Sequence, residues 1–282
     1  MKIGIAGLGL IGGSLAKAAK RAGHGVLAWN RSPATLARAV AEGAADGPLD
    51  ADSVRECAAV FVALPPDAVA PWIDSMAASF APGTVVSDCA GVKRSICAQM
   101  LKYATGRDWT FLGGHPMAGK EKGGYGNSSA GLFDGASMIF TPYPSAGRKA
   151  LDMMDGLARS LGFARTVFAT PEEHDAMIAV TSQMAHAVSC AYARDPLAPG
   201  HSGFSAGSFA DMTRVASVDP PLWTGLFMAN RDNLAAAVRG LEERLAECRR
   251  ALEAGDAEAV RAFLEKGRDA RAKIVYDRNR GG

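Results

Sequence analysis

Residues 2–14 decide the fold of this chain, and they read Lys-Ile-Gly-Ile-Ala-Gly-Leu-Gly-Leu-Ile-Gly-Gly-Ser. A short apolar run at 2–7 has the character of a buried strand, and a glycine pattern at positions 7, 9 and 12 separates it from an alanine-rich helical stretch. The first glycine permits a tight turn, the second lets a pyrophosphate approach the backbone, and the third lets helix and strand pack closely. The helix N-terminus then faces the phosphates. This context predicts a Rossmann-type dinucleotide-binding domain.

Strand-like and helix-like segments alternate through the first part of the chain. Strand candidates lie at 25–29, 59–64, 84–88, 109–113 and 137–141, with a closing edge strand at 164–168, and the clearest helical stretches are 66–80, 93–103 and 145–162. Such alternation predicts a mostly parallel, doubly wound α/β sheet. Thr170-Pro171-Glu172-Glu173 then has the pattern of a capping box, and the chain beyond it is mainly helix-forming. We predict a dinucleotide-binding domain over 1–169 and an all-α substrate and dimerisation domain over 170–282.

Composition narrows the class of protein. The 282 residues include 31 basic and 29 acidic side chains, a balance that argues against nucleic acid or a membrane surface as a partner. No apolar run reaches the roughly 18 residues of a membrane helix, and the N-terminus lacks the pattern of a signal peptide. The five cysteines form no close pair and no metal-ligand set. We therefore predict a cytoplasmic protein without a bound metal.

The end of the second strand bears on the choice of cofactor. An NAD site usually has an acidic residue there, whereas this chain has Asn30-Arg31-Ser32. Arg31 could pair with a 2′-phosphate and Ser32 could donate to it, so we favour NADP over NAD. Two alternatives stay open: Ser32-Pro33 could simply begin the next helix, and Arg31 could stack on the adenine without selecting a cofactor. The predicted cofactor-binding residues are Gly7, Gly9, Leu10, Ile11, Gly12, Asn30, Arg31, Ser32, and Leu64 with Pro65 at the end of the third strand.

The stretch Gly113–Gly119, Gly-Gly-His-Pro-Met-Ala-Gly, contains the candidate catalytic residue. A strand over 109–113 that stops and turns here would leave His115 at its mouth on a constrained backbone. Histidine is the side chain best suited to accept or give a proton near neutral pH. The alternative is a histidine that only closes a strand end.

The helical half offers further candidates and one indication of assembly. Glu173-His174-Asp175, His186 and the stretch 211–214 could each carry chemistry, although a structural role is the commoner one for a single histidine. A long helix-forming segment at 224–253 is rich in leucine and alanine. Such a helix needs a partner for its apolar stripe, which favours a second subunit over an intramolecular bundle.

Several of these motifs, in this order, resemble the prephenate and arogenate dehydrogenases of tyrosine biosynthesis. The resemblance covers about the first 235 residues. Its motifs are GLGLIGGSLA at 7–16, the segment 88–93, GGHPMAGKEKGG at 113–124, EEHDAM at 172–177, SQMAH at 182–186, and DMTRVA at 211–216 followed by Trp223 and Asn230. The family combines a Rossmann domain with a helical dimerisation domain, and the resemblance therefore implies a homodimer.

The resemblance implies an NAD(P)-dependent oxidative decarboxylation of prephenate to 4-hydroxyphenylpyruvate, or of arogenate to tyrosine. By position, His115 would accept the proton of the ring hydroxyl as hydride leaves C4 of the substrate. Arg214 would bind a substrate carboxylate through a bidentate fork. The remaining substrate-binding residues implied are His186 near the side chain, Gln183, Glu121 at the rim and Trp223 as a wall, from the partner subunit's side.

Two positions depart from the family pattern. Gly91 stands where the family often has a serine that supports the catalytic histidine, and Gln183 stands where the family often has histidine. We expect the support of His115 to come from water or a backbone amide instead. Neither departure decides between prephenate, which we favour, and arogenate. A non-catalytic NADP-binding sensor is the alternative from another class. We expect a monofunctional protein, because a mutase segment or an added regulatory domain would not fit into 282 residues.

Overall fold

A computed structural model of the chain describes residues 1–120 and 122–279, with side chains described to residue 274. Eight strands form one sheet: β1 Lys2–Ala6, β2 Gly25–Trp29, β3 Gly47–Pro48, β4 Ala59–Val62, β5 Val85–Asp88, β6 Thr110–Pro116, β7 Ser137–Pro142 and β8 Arg165–Phe168. The helices are α1 Leu10–Arg21, α2 Pro33–Ala41, α3 Pro66–Met76, α4 Arg94–Ala104, α5 Arg148–Ser160, α6 Pro171–Ile178, α7 Met184–Tyr192, α8 Gly207–Thr213, α9 Pro220–Ala229, α10 Arg231–Glu253 and α11 Ala257–Asn279.

The sheet confirms the predicted Rossmann-type fold. Its strand order is β3-β2-β1-β4-β5-β6-β7-β8, and every neighbouring pair is parallel except the antiparallel pair β6 and β7. The chain reverses direction across the sheet between β1 and β4, which is the switch point where such sheets bind ligands. Ile3, Ile5 and Phe61 are buried at the centre of the core, as expected for strands covered by helices on both faces.

Two glycines of the first motif are required by close approaches of the backbone. Gly7 has φ +92°, and a Cβ there would lie 2.4 Å from the carbonyl oxygen of Ala63. A Cβ on Gly12 would lie 1.8 Å from the carbonyl oxygen of Gly7, so the third glycine lets α1 pack directly on the turn. A Cβ on Gly9 would meet no atom of the described residues within 4 Å, so this position faces open space.

The strand that carries His115 is longer than predicted. We expected it to end at residue 113 and turn, but β6 continues to Pro116, and His115 pairs with Ile139 of β7. The antiparallel ladder with β7 provides hydrogen-bonding partners that a lone strand end would lack. Two glycines allow the strand to pass so closely over its neighbours, because a Cβ on Gly113 or Gly114 would lie 2.2 Å and 2.4 Å from the hydroxyls of Thr141 and Ser87.

The helical part begins as predicted and is then divided differently. Thr170 caps α6, and Glu173 completes the capping box. A π-helical turn, Ala179–Gln183, joins α6 to α7. The single helix expected over 224–253 is wrong, because the backbone leaves helical geometry at Asn230, which separates α9 from α10.

The chain forms two compact units, residues 1–230 and the residues from 231 onward. In the second unit α10 and α11 pack together, and Lys266 Nζ lies 2.8 Å from Glu247 Oε1. The division predicted at residue 169 stays a prediction. Within the described ranges, each helix is too short or too polar to cross a bilayer.

Candidate active site

His115 is the first member of a chain of three hydrogen-bonded side chains. Its Nδ1 lies 2.9 Å from Nε2 of His174, and Nδ1 of His174 lies 2.7 Å from Oδ1 of Asp175. His174 and Asp175 are buried at the start of α6, whereas His115 is half-buried at the carboxyl end of β6. The side chain that supports His115 is therefore a second histidine rather than the water or backbone amide that we expected.

This arrangement determines which nitrogen of His115 can accept a proton. The Asp175 carboxylate only accepts hydrogen bonds, so Nδ1 of His174 carries a hydrogen and donates it. With no second hydrogen on the His174 ring, its Nε2 is an acceptor, and Nδ1 of His115 is the donor in the bond between the two rings. Nε2 of His115 is left with its lone pair, as a general base requires.

The Asp175 carboxylate is held in its charged form. Burial on its own would raise the pKa of Asp175, but the hydrogen bond from His174 and those from the backbone amides of Arg94 and Lys93 lower it. The two amide nitrogens, at the N-terminus of α4, lie 3.0 Å and 2.7 Å from the carboxylate oxygens. The charged Asp175 carboxylate, at the buried end of the three hydrogen-bonded side chains, keeps both histidines in the tautomers described above.

A buried ion pair lies beneath the strand that carries His115. Lys93 and Asp88 pair through Nζ and Oδ2, and both side chains are fully buried. The pair also binds both backbone groups of Gly114, the residue before His115. Lys93 Nζ donates to the Gly114 carbonyl at 2.6 Å, and the Gly114 amide donates to Asp88 Oδ1 at 3.0 Å. Burial, the Lys93 charge and the neighbouring His174 lower the pKa of His115 well below 6.5, against the opposing effect of Asp175. His115 is therefore neutral at physiological pH.

Helix α9 connects His115 to a second group of predicted residues. A Cβ on Gly91 would lie 3.9 Å from Cε1 and Nε2 of His115 and 3.3 Å from Cδ2 of Leu226. One turn earlier on α9, Trp223 stacks on His186 with 3.6 Å between ring centroids. Positions three apart share a helix face, so the face of α9 that stacks on His186 also borders the space between Gly91 and His115.

The remaining predicted substrate residues lie in different surroundings. Arg214 is exposed at the start of a 3₁₀ turn that packs against α7, the helix of His186. Gln183 is buried, and its amide donates to the Leu226 carbonyl at 2.9 Å and accepts from Asn230 at 2.8 Å. Both ends of the Gln183 amide thus bind protein groups in the interior. Glu121 lies outside the described residues.

The predicted cofactor residues line the switch point of the sheet. Asn30 accepts a hydrogen bond from the Leu8 amide at 2.9 Å, so its side chain braces the glycine turn. Ser32 caps α2 through its Oγ, which confirms it as the start of that helix, and both Ser32 and Arg31 are exposed. Leu64 and Pro65 precede α3, with Leu64 next to Gly7. The open space at Gly9 and the uncharged first turn of α1, Leu10–Gly13, fit a bound pyrophosphate.

Two family models match this chain. The family model described as the prephenate dehydrogenase nucleotide-binding domain matches residues 15–166, and the model for the prephenate dehydrogenase dimerization domain matches residues 170–266. The chain belongs to the prephenate dehydrogenase family. It is therefore an oxidoreductase with an NAD(P)-binding domain.

Individual relatives span nearly the whole chain. Prephenate dehydrogenase of Bacillus subtilis (strain 168) is 29% identical over 95% of this chain and 74% of its own length. The solved arogenate dehydrogenase of Synechocystis superposes with a TM-score of 0.84 at 26% identity, covering 97% of this chain and 100% of its own. Prephenate dehydrogenase of A. aeolicus, solved with hydroxyphenyl propionate and NAD+, has a TM-score of 0.82 at 26% identity and covers 97% and 98%.

Sequence reasoning missed the parts of the site that depend on long-range packing. His174 and Asp175 stood out as a polar cluster, but they are 59 positions or more from His115, and no local pattern connects them. The contact of Leu226 with the space above Gly91 had no signal in the sequence. The segment 88–93 carried a usable one, since an aspartate and a lysine that flank an apolar turn in a buried segment need each other as partners.

Proposed function

We propose that this protein catalyses the NADP-dependent oxidative decarboxylation of prephenate to 4-hydroxyphenylpyruvate. The observation that carries the proposal is the hydrogen-bonded series His115–His174–Asp175, which engages Nδ1 of His115 at the carboxyl end of β6 and leaves Nε2 for the substrate. A neutral imidazole in a fixed tautomer is suited to remove the hydroxyl proton as the hydride leaves.

The chain's own residues supply proton transfer and orientation. Nε2 of His115 accepts the proton of the ring hydroxyl, and the charge that develops on the imidazole is stabilised through His174 by the Asp175 carboxylate. The chemistry that bound NADP would supply is uptake of the hydride from C4 of the ring. Loss of the ring carboxylate as CO2 then leaves an aromatic phenolate, whose oxygen takes the proton back from His115. The Asp88–Lys93 pair holds the Gly114 peptide, so His115 is presented in one orientation.

Substrate binding falls to Arg214 and to residues of α7 and α9. Arg214 supplies a guanidinium for a substrate carboxylate, where a bidentate fork gives both charge and orientation. His186 and Trp223 supply a stacked wall beside the side chain of the substrate. Nδ1 of His186 faces the Ser182 carbonyl at 2.9 Å, which leaves Nε2 available for the substrate. That Glu121 and Gln183 contact the substrate stays a prediction. The hydrogen bonds of the Gln183 side-chain amide favour a role in holding α9 in place.

The preference for NADP rests on the exposed residues after β2. Arg31 presents a positive charge next to the N-terminus of α2, where Ser32 accepts a hydrogen bond from the Thr35 amide and keeps its own hydrogen for a ligand. A 2′-phosphate at this point would meet the guanidinium, the hydroxyl and the helix terminus together. Asn30 brings no carboxylate to repel that phosphate.

Replacing Arg31 by alanine is expected to raise the Michaelis constant for NADP about 10-fold or more while changing that for NAD less than about 3-fold, because only the 2′-phosphate loses a charge-assisted partner. Steady-state kinetics with each cofactor at saturating prephenate measures both values. Arg55→Ala, in the 3₁₀ turn Ser53–Glu56, serves as a control for removal of a basic side chain. Equal effects of Arg31→Ala on the two cofactors would refute the assigned role.

The assembly belongs to the same proposal. The match of residues 170–266 to a dimerization domain supports a homodimer. In each subunit we place the cofactor domain over 1–169 and the helical dimerisation domain over 170–282. Five free cysteines are consistent with a reducing cytoplasm.

A two-by-two assay of prephenate and arogenate against NADP and NAD tests the function. We expect the highest kcat/KM for prephenate with NADP, measured as reduced cofactor at 340 nm. Faster turnover of arogenate would assign the alternative activity, which the structural similarity to an arogenate dehydrogenase favours. No reduced cofactor with either substrate, together with measurable NADP binding, would establish the sensor alternative.

A further inference from the structure

We propose that Leu226 is a positioning residue for His115, whose side chain walls the space that Gly91 leaves open beside the imidazole. The inference rests on the proposed function in that it takes His115 as the base. It adds to that function a reason for the glycine at position 91. The sequence showed only that a serine is replaced there, whereas the structure shows what stands opposite.

One small volume is bordered by all three residues. The Cβ position of residue 91 lies 3.9 Å from both Cε1 and Nε2 of His115, the edge of the ring that carries the reactive nitrogen. The same point lies 3.3 Å from Cδ2 of Leu226, which is closer than most carbon contacts. A side chain at position 91 would therefore compete with Leu226 for the volume beside Nε2. Because glycine has no side chain, this volume is left to Leu226.

The position of Leu226 is set by buried hydrogen bonds. Gln183 donates to the Leu226 carbonyl at 2.9 Å, and Asn230 donates to the Gln183 oxygen and to the Asp175 carbonyl, each at 2.8 Å. Gln183 and Asn230 are both buried. These bonds tie the last turn of α9 to α6, the helix that carries His174 and Asp175. Leu226 and the support of His115 thus share one rigid frame.

An apolar wall beside Nε2 has a defined electrostatic consequence. The charged and titratable groups that face His115 are Lys93 from the start of α4, and His174 with Asp175 from α6. Burial has the largest effect among the influences that lower the pKa of His115. Leu226 lies 3.3 Å from the Cβ position of residue 91, on the side where a serine hydroxyl would instead offer a hydrogen bond. A shorter side chain at 226 admits water to this edge and favours the protonated ring.

The first test measures the pH titration of His115 itself and needs no catalytic turnover. Histidine labelled with ¹³C at Cε1 gives five signals to follow by NMR, and the one lost in His115→Asn is that of His115. We expect Leu226→Ala to move the titration of this signal to higher pH, while Leu226→Met keeps it near the wild-type position. Leu222→Ala, an exposed position on the same helix, is the matched control and should leave it unchanged. An unmoved titration in Leu226→Ala would overturn the proposal.

The second test measures competition for the volume. Gly91→Ser is expected to lower kcat/KM for prephenate by about 10-fold or more, because its side chain displaces Leu226 or His115. In Gly91→Ser/Leu226→Ala the loss should be smaller than the product of the two single losses, since the serine then has room. Multiplicative losses would contradict the shared volume. Failure of the wild type to turn over either substrate would instead contradict the proposed function, and the NMR result would stand independently.

Discussion

Replacing His115 by asparagine is expected to lower kcat for prephenate by about 10²-fold or more and to leave the dissociation constant for NADP nearly unchanged. The asparagine amide can still donate to Nε2 of His174, so the supporting chain keeps its partner. It offers no basic nitrogen on the side where Nε2 of His115 stands, and the proton of the ring hydroxyl then has no acceptor on the protein. Steady-state kinetics measures kcat, and the quenching of tryptophan fluorescence on titration with NADP measures the dissociation constant.

The control for this variant is another histidine outside the proposed site. His24→Asn changes a ring that contacts Ser160 and the N-terminus, so its rate should match the wild type. Both variants are best compared above pH 7, because the pKa of His115 is depressed below 6.5 and the neutral base predominates there. A rate for His115→Asn within about 3-fold of the wild type would remove the residue from the mechanism.

The part of the site that the sequence predicts is the part encoded by short-range patterns. The glycines at 7 and 12 are required by contacts with their immediate neighbours, so the motif alone is enough to infer the turn. Ser32 and Thr170 likewise cap helices through bonds to residues three positions ahead. Such features survive without knowledge of the rest of the fold.

The support of His115 depends on long-range packing and could not be predicted in this way. Its partner His174 comes from a helix in another part of the chain, and the end of β6 depends on pairing with β7. The two-residue strand β3 escaped prediction because it is too short to show a period. Asn230 interrupts a helix-forming sequence because its side chain is used in buried bonds rather than for any local propensity.

Those long-range contacts also show that the two departures from the family pattern, Gly91 and Gln183, have different structural consequences. At Gly91 the missing side chain is matched by Leu226, and the imidazole is supported from its other edge by His174. At Gln183 both amide ends are used to hold α9. One departure therefore alters the surroundings of the reactive nitrogen, whereas the other acts on the frame behind it.

Breaking the buried pair of Lys93 and Asp88 is expected to have the largest effect on stability. Lys93→Met leaves the Asp88 carboxylate fully buried without its counter-ion and leaves the Gly114 carbonyl without its donor. Asp88→Asn likewise leaves the Lys93 ammonium buried without its counter-ion. Loss of one partner of such a pair costs about 3–5 kcal/mol of unfolding free energy, because the remaining charge is desolvated and unpaired. Urea denaturation followed by circular dichroism, at one protomer concentration, measures the loss.

The double variant Asp88→Asn/Lys93→Met distinguishes the cost of an unpaired charge from the loss of the attraction itself. Both charges are then absent, and the asparagine oxygen can still accept from the Gly114 amide, which now binds Asp88 Oδ1 at 3.0 Å, while the Ala90 amide, 2.9 Å from Oδ2, loses its acceptor. We expect the double variant to be more stable than either single variant, with an interaction energy of about 1–3 kcal/mol in the mutant cycle. Its activity should still be reduced, because the Gly114 carbonyl has lost the donor that orients the peptide before His115. Additive destabilisation would show that the two charges act independently, and it would remove the ion pair from the account of how His115 is held.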